Sequence, residues 1–372
     1  MNRIGTYQLF VMVIMFHIGS TPLFQLGSKA KQDSWLAVLL GAAAGLLVMA
    51  LFITLQQRKP DASLVGLLQL AAGRWTAVVF GLLYAVYFAY QSMRNVRDFG
   101  ELTTLSLLPN NPKWIIMAVI LLIAWYTVVN GNESFFRTTQ LLFIVMFGSY
   151  SLLAVLIMSN GLSQFRMLRP VMEDGLMPVV HAAMPDIFSF PFTQGVIFLV
   201  FWKYAANWKA ARRASYWGYI GGALFIVFMN AMSMTVLGPL ASTSSLPFLE
   251  VVQLVQIANF IERLDVVVTL LLFIGLYVKM TAFYLAAVLV LREIFRLRVQ
   301  WLAAIIGVII YVTSFIERNN TIHLWVGLGI SLKLSLVMQV VIPFIILLLA
   351  LIRVHGADTQ TGAPASAERS GG

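Results

Sequence analysis

Residues 187–206 read IFSFPFTQGVIFLVFWKYAA. The run is long and apolar enough to cross a bilayer, for which roughly 20 residues are needed. Yet Pro191 lies inside it, followed by Thr193, Gln194 and Gly195. Proline removes a backbone donor and disturbs the preceding turn, and glycine loosens the next one. In hydrocarbon the freed backbone groups must be satisfied by protein, water or a ligand. The first apolar run, residues 7–26, carries a similar interruption at Gly19-Ser20-Thr21-Pro22. Two interrupted spans, one early in each half of the chain, point to a secondary-transporter type of site at the membrane midplane. Two tolerated proline kinks are the plainer reading, since kinks are common in membrane helices.

The 372 residues are 60% hydrophobic and 11% charged, with no cysteine. Soluble domains are about a quarter charged, so this composition is that of a polytopic membrane protein. It leaves no room for a sizeable soluble catalytic domain, and disulfide and thiol chemistry are excluded. The net charge of +10 does not signal nucleic acid, because the basic residues fall mostly in short loops between apolar runs. The N-terminal run is too long for a signal peptide, contains His17 and is followed by no small-residue cleavage pattern, so it reads as a retained first helix.

About ten spans are expected, at 7–26, 35–56, 75–91, 114–130, 140–159, 187–206, 216–237, 266–291, 301–315 and 331–352. Trp35, Trp75, Trp114 and Trp301 open four of them, where the indole ring suits the interface. The most basic short clusters, Lys203 with Lys209, Arg212 and Arg213, and Arg292 with Arg296 and Arg298, fall on one side, while most acids fall on the other. The positive-inside rule then places both termini inside. A short amphipathic helix is expected in the loop 238–263, with Leu249, Val252, Val255 and Gln256 alternating with Glu250, Gln253 and Asn259. Residues 63–74 are a second candidate of this kind, and the tail 356–372 reads as disordered.

Lys279 sits near the middle of the eighth span, where a charge costs about 3 kcal/mol or more. It could stand where a coupling cation would sit, pair with a ligand carboxylate or buried acid, carry protons, or simply bind carbonyls freed at a broken helix. His17, just before the first break, is more simply a packing residue. Half-helix N-termini offer N–H groups to a carboxylate, and half-helix C-termini offer carbonyls to a cation. Ser20, Thr21, Thr193 and Gln194 add neutral polar groups. Tyr84, Tyr87 and Tyr90 form one aromatic stripe, more simply a packing surface than a site wall. Arg94, Arg97, Asp98 and Glu101 read as the solvated end of span three. No P-loop, metal-ligand spacing, nucleophile elbow or dinucleotide fingerprint is present, so neither an enzyme nor a metal or organic cofactor is indicated.

Several stretches together resemble the B-subunit family of spore germination receptors, the endospore germination permeases of the amino acid–polyamine–organocation superfamily. They are Gly19-Ser20, Gln32-Asp33-Ser34-Trp35, Arg97-Asp98-Phe99-Gly100-Glu101, Gly131-Asn132-Glu133 with Arg137, Leu168-Arg169-Pro170, Phe190-Pro191-Phe192, Glu262-Arg263-Leu264-Asp265 and Pro343. No single one is specific; their order and spacing carry the resemblance, from about residue 7 to 353. It implies an all-α membrane fold, LeuT-like, with two inverted five-helix repeats at about 7–159 and 187–352 and with helices one and six broken. It also implies a nutrient-sensing subunit in the spore inner membrane, acting with an A-subunit membrane protein and a C-subunit lipoprotein on amino acids, sugars or nucleosides. The implied ligand pocket is Gly19, Ser20, Thr21, Pro22, Phe192, Thr193, Gln194 and Gly195, with Lys279 at a polar or basic position of span eight. Many relatives carry Pro-Phe-Gly-Glu where this chain has Pro191-Phe192-Thr193-Gln194. The missing acid speaks against proton coupling at that break and bears on ligand class. Two other readings stay open: a small-solute permease of the same fold, and an ion or water conduit with no ligand site.

Overall fold

The computed structural model describes residues 3–244, 246–254 and 264–360, with side chains to residue 352. It is helical throughout, and an isolated parallel bridge pairs Ile4 with Ala205. The helices are α1 (Thr6–Ile18), α2 (Ser34–Arg58), α3 (Leu64–Ala72), α4 (Arg74–Ser106), α5 (Lys113–Ser159), α6 (Leu176–Ala182) and α7 (Phe198–Phe201). They continue as α8 (Trp208–Leu237), α9 (Pro247–Gln253), α10 (Leu264–Phe295), α11 (Val299–Thr313), α12 (Asn320–Trp325), α13 (Leu332–Leu336) and α14 (Ile342–Gln360). Helices dominate because each satisfies its backbone groups internally, which hydrocarbon demands.

Eight stretches among the described residues are long and apolar enough to cross a membrane. The expected fourth and fifth spans form one 47-residue element, α5, interrupted at Gly131 with φ 85 and ψ 179. That backbone is open to glycine and closed to most other residues. The expected ninth span is α11, a shorter apolar helix of 15 residues. Two departures concern boundaries. Span three runs on past Gln91 to Ser106, because its charged residues find internal partners. Span six is joined at its start by α6, which begins after Gly175.

The packing separates into two groups. α10 lies most extensively against α4 and also meets α5 and α11, while α5 and α11 meet each other. In the second group α8 packs on α1 and α2, and the irregular segment Ala183–Phe192 lies on α2. α1 joins the two groups, since it also meets α5 and α10. The two breaks sit where the groups face one another.

Two short helices fall within the amphipathic stretches. α3 buries Leu64, Val65, Leu67, Leu68 and Ala71, and the Ser63 hydroxyl accepts from the Gly66 N–H at 3.1 Å. α9 buries Phe248, Leu249, Val251 and Val252 and packs over the turn Thr21–Leu23. Val255, Gln256, Asn259, Glu262 and Arg263 lie outside the described residues, as does 361–372 of the expected tail. Near the N-terminus, the Ile4 N–H donates to the Tyr204 carbonyl at 2.8 Å and the Ala206 N–H to the Ile4 carbonyl at 3.1 Å.

Candidate functional site

The first break begins where α1 stops at Ile18. Gly19 has φ 27 and ψ −113, which turns the chain out of the helix, and a 3-10 turn follows at Thr21–Leu23. The freed backbone is repaired locally. Gly19 N–H donates to the Met15 carbonyl at 2.8 Å, and the Thr21 hydroxyl donates to the His17 carbonyl at 2.7 Å. The turn is seated against α10. A side chain at Gly275 would run into the Gly19 carbonyl oxygen, and one at Gly19 would stand 2.6 Å from Lys279 Cδ. Glycine at both positions is what lets the two backbones touch.

Lys279 is completely buried beside this seat. Its ammonium has no hydrogen-bond partner among the described residues. It lies 4.3 Å from the ring centre of Phe190 and 5.6 Å from that of Phe16, so two aromatic faces take the place of a carboxylate. His17 is also buried; its Nδ1 is 2.8 Å from the Val13 carbonyl, and its ring meets Tyr219 edge-on. It packs, as the plainer reading of the sequence has it.

The second break spans Ser189 to Gln194. Phe190 leaves the helix at φ −131 and ψ 120, and the Thr193 N–H donates to the Phe188 carbonyl at 3.1 Å. Here too the backbone is held locally, with the Thr193 hydroxyl 3.3 Å from the Ser189 carbonyl, but the side chains of the break also reach another span. The Thr193 hydroxyl donates to Gln339 Oε1 at 2.7 Å, and Gln339 Nε2 donates to the Tyr87 hydroxyl at 2.7 Å. The Ser189 hydroxyl donates to the Leu332 carbonyl at 2.8 Å. The last span, which offers the Leu332 carbonyl, is itself loosened, with π-helical turns at Val326–Ser331 and Val337–Val341. Such turns expose carbonyls that a straight helix would use.

Between the breaks lies a polar cavity of about 40 Å³. Ser20 and Gln194 line it from the breaks, Gln91, Arg94, Asn95 and Asp98 from α4, and Ser331, Ser335 and Gln339 from the last span. Gln194 Oε1 is buried with no hydrogen-bond partner among the described residues. Room for small-molecule ligands is usually about 300–1,000 Å³, so the cavity as it stands is too small for one and holds at most a few waters. Thr21 and Pro22 face elsewhere, onto a crevice of about 20 Å³ shared with Asn230, Pro247 and Phe248. Phe192 packs against Gly45 of α2 and against Tyr219, and Gly195 against Met49 and Phe52. The eight candidate residues thus divide: Ser20 and Gln194 face the cavity, Gly19 and Thr193 shape and anchor the breaks, and the other four face α2, α8 or α9.

One end of the cavity is closed by charge. His323, completely buried, places Nε2 2.8 Å from Asp98 and Nδ1 against Glu317. Arg94 reaches Glu317 at 3.3 Å and the His323 carbonyl at 2.9 Å. Its guanidinium lies directly on Gly327, where any side chain would collide with it. Arg97 pairs with Glu101 at 2.9 Å, and Lys113 with the same carboxylate at 2.6 Å. Arg94, Arg97 and Glu101 are 9%, 5% and 8% exposed, so this cluster is interior where the sequence suggests a solvated end. Compensation by opposite charge is what allows its burial. Gln339, Ser335 and Gln91 have no place in the reading of the sequence. The signal existed: Ser335 and Gln339 are four apart in an apolar run, and Gln91, Arg94, Asn95 and Asp98 repeat at helical spacing after the tyrosine stripe.

A family model described as "Spore germination protein" matches residues 3–322. The chain is 30% identical to "Spore germination protein KB" of Bacillus subtilis (strain 168) over 367 residues, covering 98% of each chain. Among solved structures it is similar to a nucleobase-cation-symport-1 family transporter in a closed conformation with bromovinylhydantoin bound, at a TM-score of 0.66 and 14% identity, covering 91% of this chain and 79% of that one. It is also similar to a substrate-bound, outward-open Na⁺-coupled sialic acid symporter, at a TM-score of 0.62 and 14% identity, covering 90% and 76%. The fold is therefore that of the LeuT-like transporters, in a multi-pass membrane protein.

Proposed function

We propose, starting from the fact that this chain belongs to the spore germination protein family, that it is a germinant receptor B-subunit sensing a small nutrient. The nutrient would be an amino acid, a sugar or a nucleoside, and it would bind between the two breaks. The observation that carries this reading is Gln194 Oε1. It is a buried acceptor with no partner among the described residues, on a side chain that lines a small polar cavity. A buried unpaired carbonyl is costly, and a ligand donor entering the cavity removes that cost. Thr193, the neighbouring residue, is bonded to Gln339, so a ligand on Gln194 acts directly on the join between the sixth and last spans.

The cavity must widen to admit such a ligand, which makes binding and conformational change one event. The closing cluster of Arg94, Asp98, Glu317 and His323 is the element that would move. Partner subunits, an A-subunit membrane protein and a C-subunit lipoprotein, would read the shift in the spore inner membrane. Both termini would lie on the side of Lys203, Arg212 and Arg213. Lys279 would serve as a fixed positive charge behind the first break, in the role that a bound cation plays in coupled transporters. The likeness to transporter folds favours a second reading, a permease for the same solutes, and accumulation of labelled solute in vesicles separates the two.

The experiment is ligand-dependent thermal unfolding of the purified chain, alone and co-expressed with its partners, over amino acids, sugars and nucleosides. One class should stabilise it saturably, by about 2.7 kcal/mol at a hundredfold excess over Kd. The effect should vanish in Gln194→Leu, and Gln194→Glu should change which solute acts. No stabilisation by any solute, in the complex as well as alone, would overturn the reading.

A further inference from the structure

The basic end of the bundle holds a second concavity, apart from the cavity between the breaks. Gly131 turns α5 back at this level, and the turn faces the corner between α10 and α11. Together with Lys203 and Tyr204 they enclose about 490 Å³. An adjoining space of about 690 Å³ opens between Val129, Val299 and the corner. Arg292, Arg296 and Arg298 line the latter, all exposed. Arg296 sits in the left-handed region at φ 59, which folds the corner tightly enough to bring three arginines to one space. The acid of this wall, Glu293, is already taken, by Lys203 at 2.8 Å and by the Ser63 hydroxyl. The three guanidiniums have no ion pair or side-chain hydrogen bond among the described residues.

An apolar groove of about 350 Å³ continues along the same two helices. Leu122 and Trp125 of α5 form one wall, and Val308 and Tyr311 of α11 the other. From residue 118, where the groove begins, to Val129 at the basic space is about 16 Å of helix at 1.5 Å per residue. That is close to one leaflet, half of the roughly 30 Å hydrocarbon core.

We propose that this composite site holds one anionic phospholipid, with its phosphate among Arg292, Arg296 and Arg298 and an acyl chain in the groove between α5 and α11. The guanidinium fork matches phosphate oxygens in pairs, and basic pockets between spans at a membrane surface are suited to acidic headgroups. A zwitterionic lipid offsets its phosphate with its own choline cation and leaves the net charge of the three arginines uncompensated. A free phosphate would leave the groove without a role. The site is independent of the nutrient cavity, so its test stands or falls without that reading.

The purified full-length chain in mild detergent is titrated with phosphatidylglycerol, with phosphatidylcholine of the same chains, and with glycerol 1-phosphate, and bound molecules are counted by native mass spectrometry. One phosphatidylglycerol should be retained in preference to phosphatidylcholine. Replacing all three arginines (Arg292→Gln, Arg296→Gln, Arg298→Gln) should weaken it on the order of a hundredfold. Arg298→Gln alone should weaken it about fivefold, and serves if the triple variant does not insert. Val308→Trp, at a position 62% exposed, fills the groove and should cost about tenfold with the melting temperature unchanged. Equal retention of phosphatidylcholine, or indifference to the arginine changes, would overturn the proposal. So would full competition by glycerol 1-phosphate with Val308→Trp silent, which would reduce the site to an anion site.

Discussion

At the first break the Thr21 hydroxyl answers the His17 carbonyl, four residues back, whereas at the sixth span the Thr193 hydroxyl lies 3.3 Å from the Ser189 carbonyl, also four back, and 2.7 Å from Gln339 Oε1, 146 residues away. One interruption closes on itself and is braced by glycine-to-glycine contact with α10. The other is finished by a different span, and through Gln339 by Tyr87 of α4 as well. Coupling can reside where a break is tied to another span. A break whose hydroxyl bonds only to its own segment keeps its shape when neighbours move. A break completed by another span changes when that span moves, and moves it in turn.

The sharpest way to break this comparison is Gln339→Leu. It removes the bonds that Gln339 makes to Ser189, Thr193 and Tyr87 while keeping the volume apolar. Interhelical hydrogen bonds within membranes average about 0.6 kcal/mol, and unpaired groups add to that, so we expect a loss of about 2 kcal/mol. Unfolding of the purified variant in detergent measures it, and an unchanged melting curve would remove the link between the sixth and last spans. Next comes Lys279→Met. A charge at that depth costs about 3 kcal/mol and two ring faces return about 2, so the variant should be about 1 kcal/mol more stable. Its ligand-dependent stabilisation should fall even so. Full ligand response would make Lys279 a packing residue. The smallest effect belongs to Thr21→Val, about 0.5 kcal/mol in the same assay, because the bond it removes is local. A loss at Thr21 as large as that at Gln339 would erase the contrast between the breaks.

Much of this was legible in the chain. The apolar runs, the two proline-containing interruptions and the depth of Lys279 all follow from residue order alone, because run length and backbone punctuation are local properties. The partner of Thr193 was not, since nothing near residue 193 points to residue 339. The end of α4 was hidden for a related reason. Arg94 and Asp98 look like a helix leaving the membrane, and only Glu317 and His323, more than 200 positions later, make their burial affordable. Among the candidate pocket residues, Gly19, Ser20, Thr193 and Gln194 lie at or beside the cavity between the breaks. Spacing could not say that Phe192 and Gly195 face α2, because an unwound segment has no fixed helical face.

The small parallel bridge between Ile4 and Ala205 bears on how the two broken spans can move. It clasps the start of the first to the end of the sixth by two backbone hydrogen bonds. Rods pinned together at one tip behave like tongs. Their separation is near zero at the pin and grows with distance from it. A modest tilt between these two spans therefore leaves the end holding Lys203 shut and is magnified at the opposite tip, where Arg94 and His323 lie across the mouth.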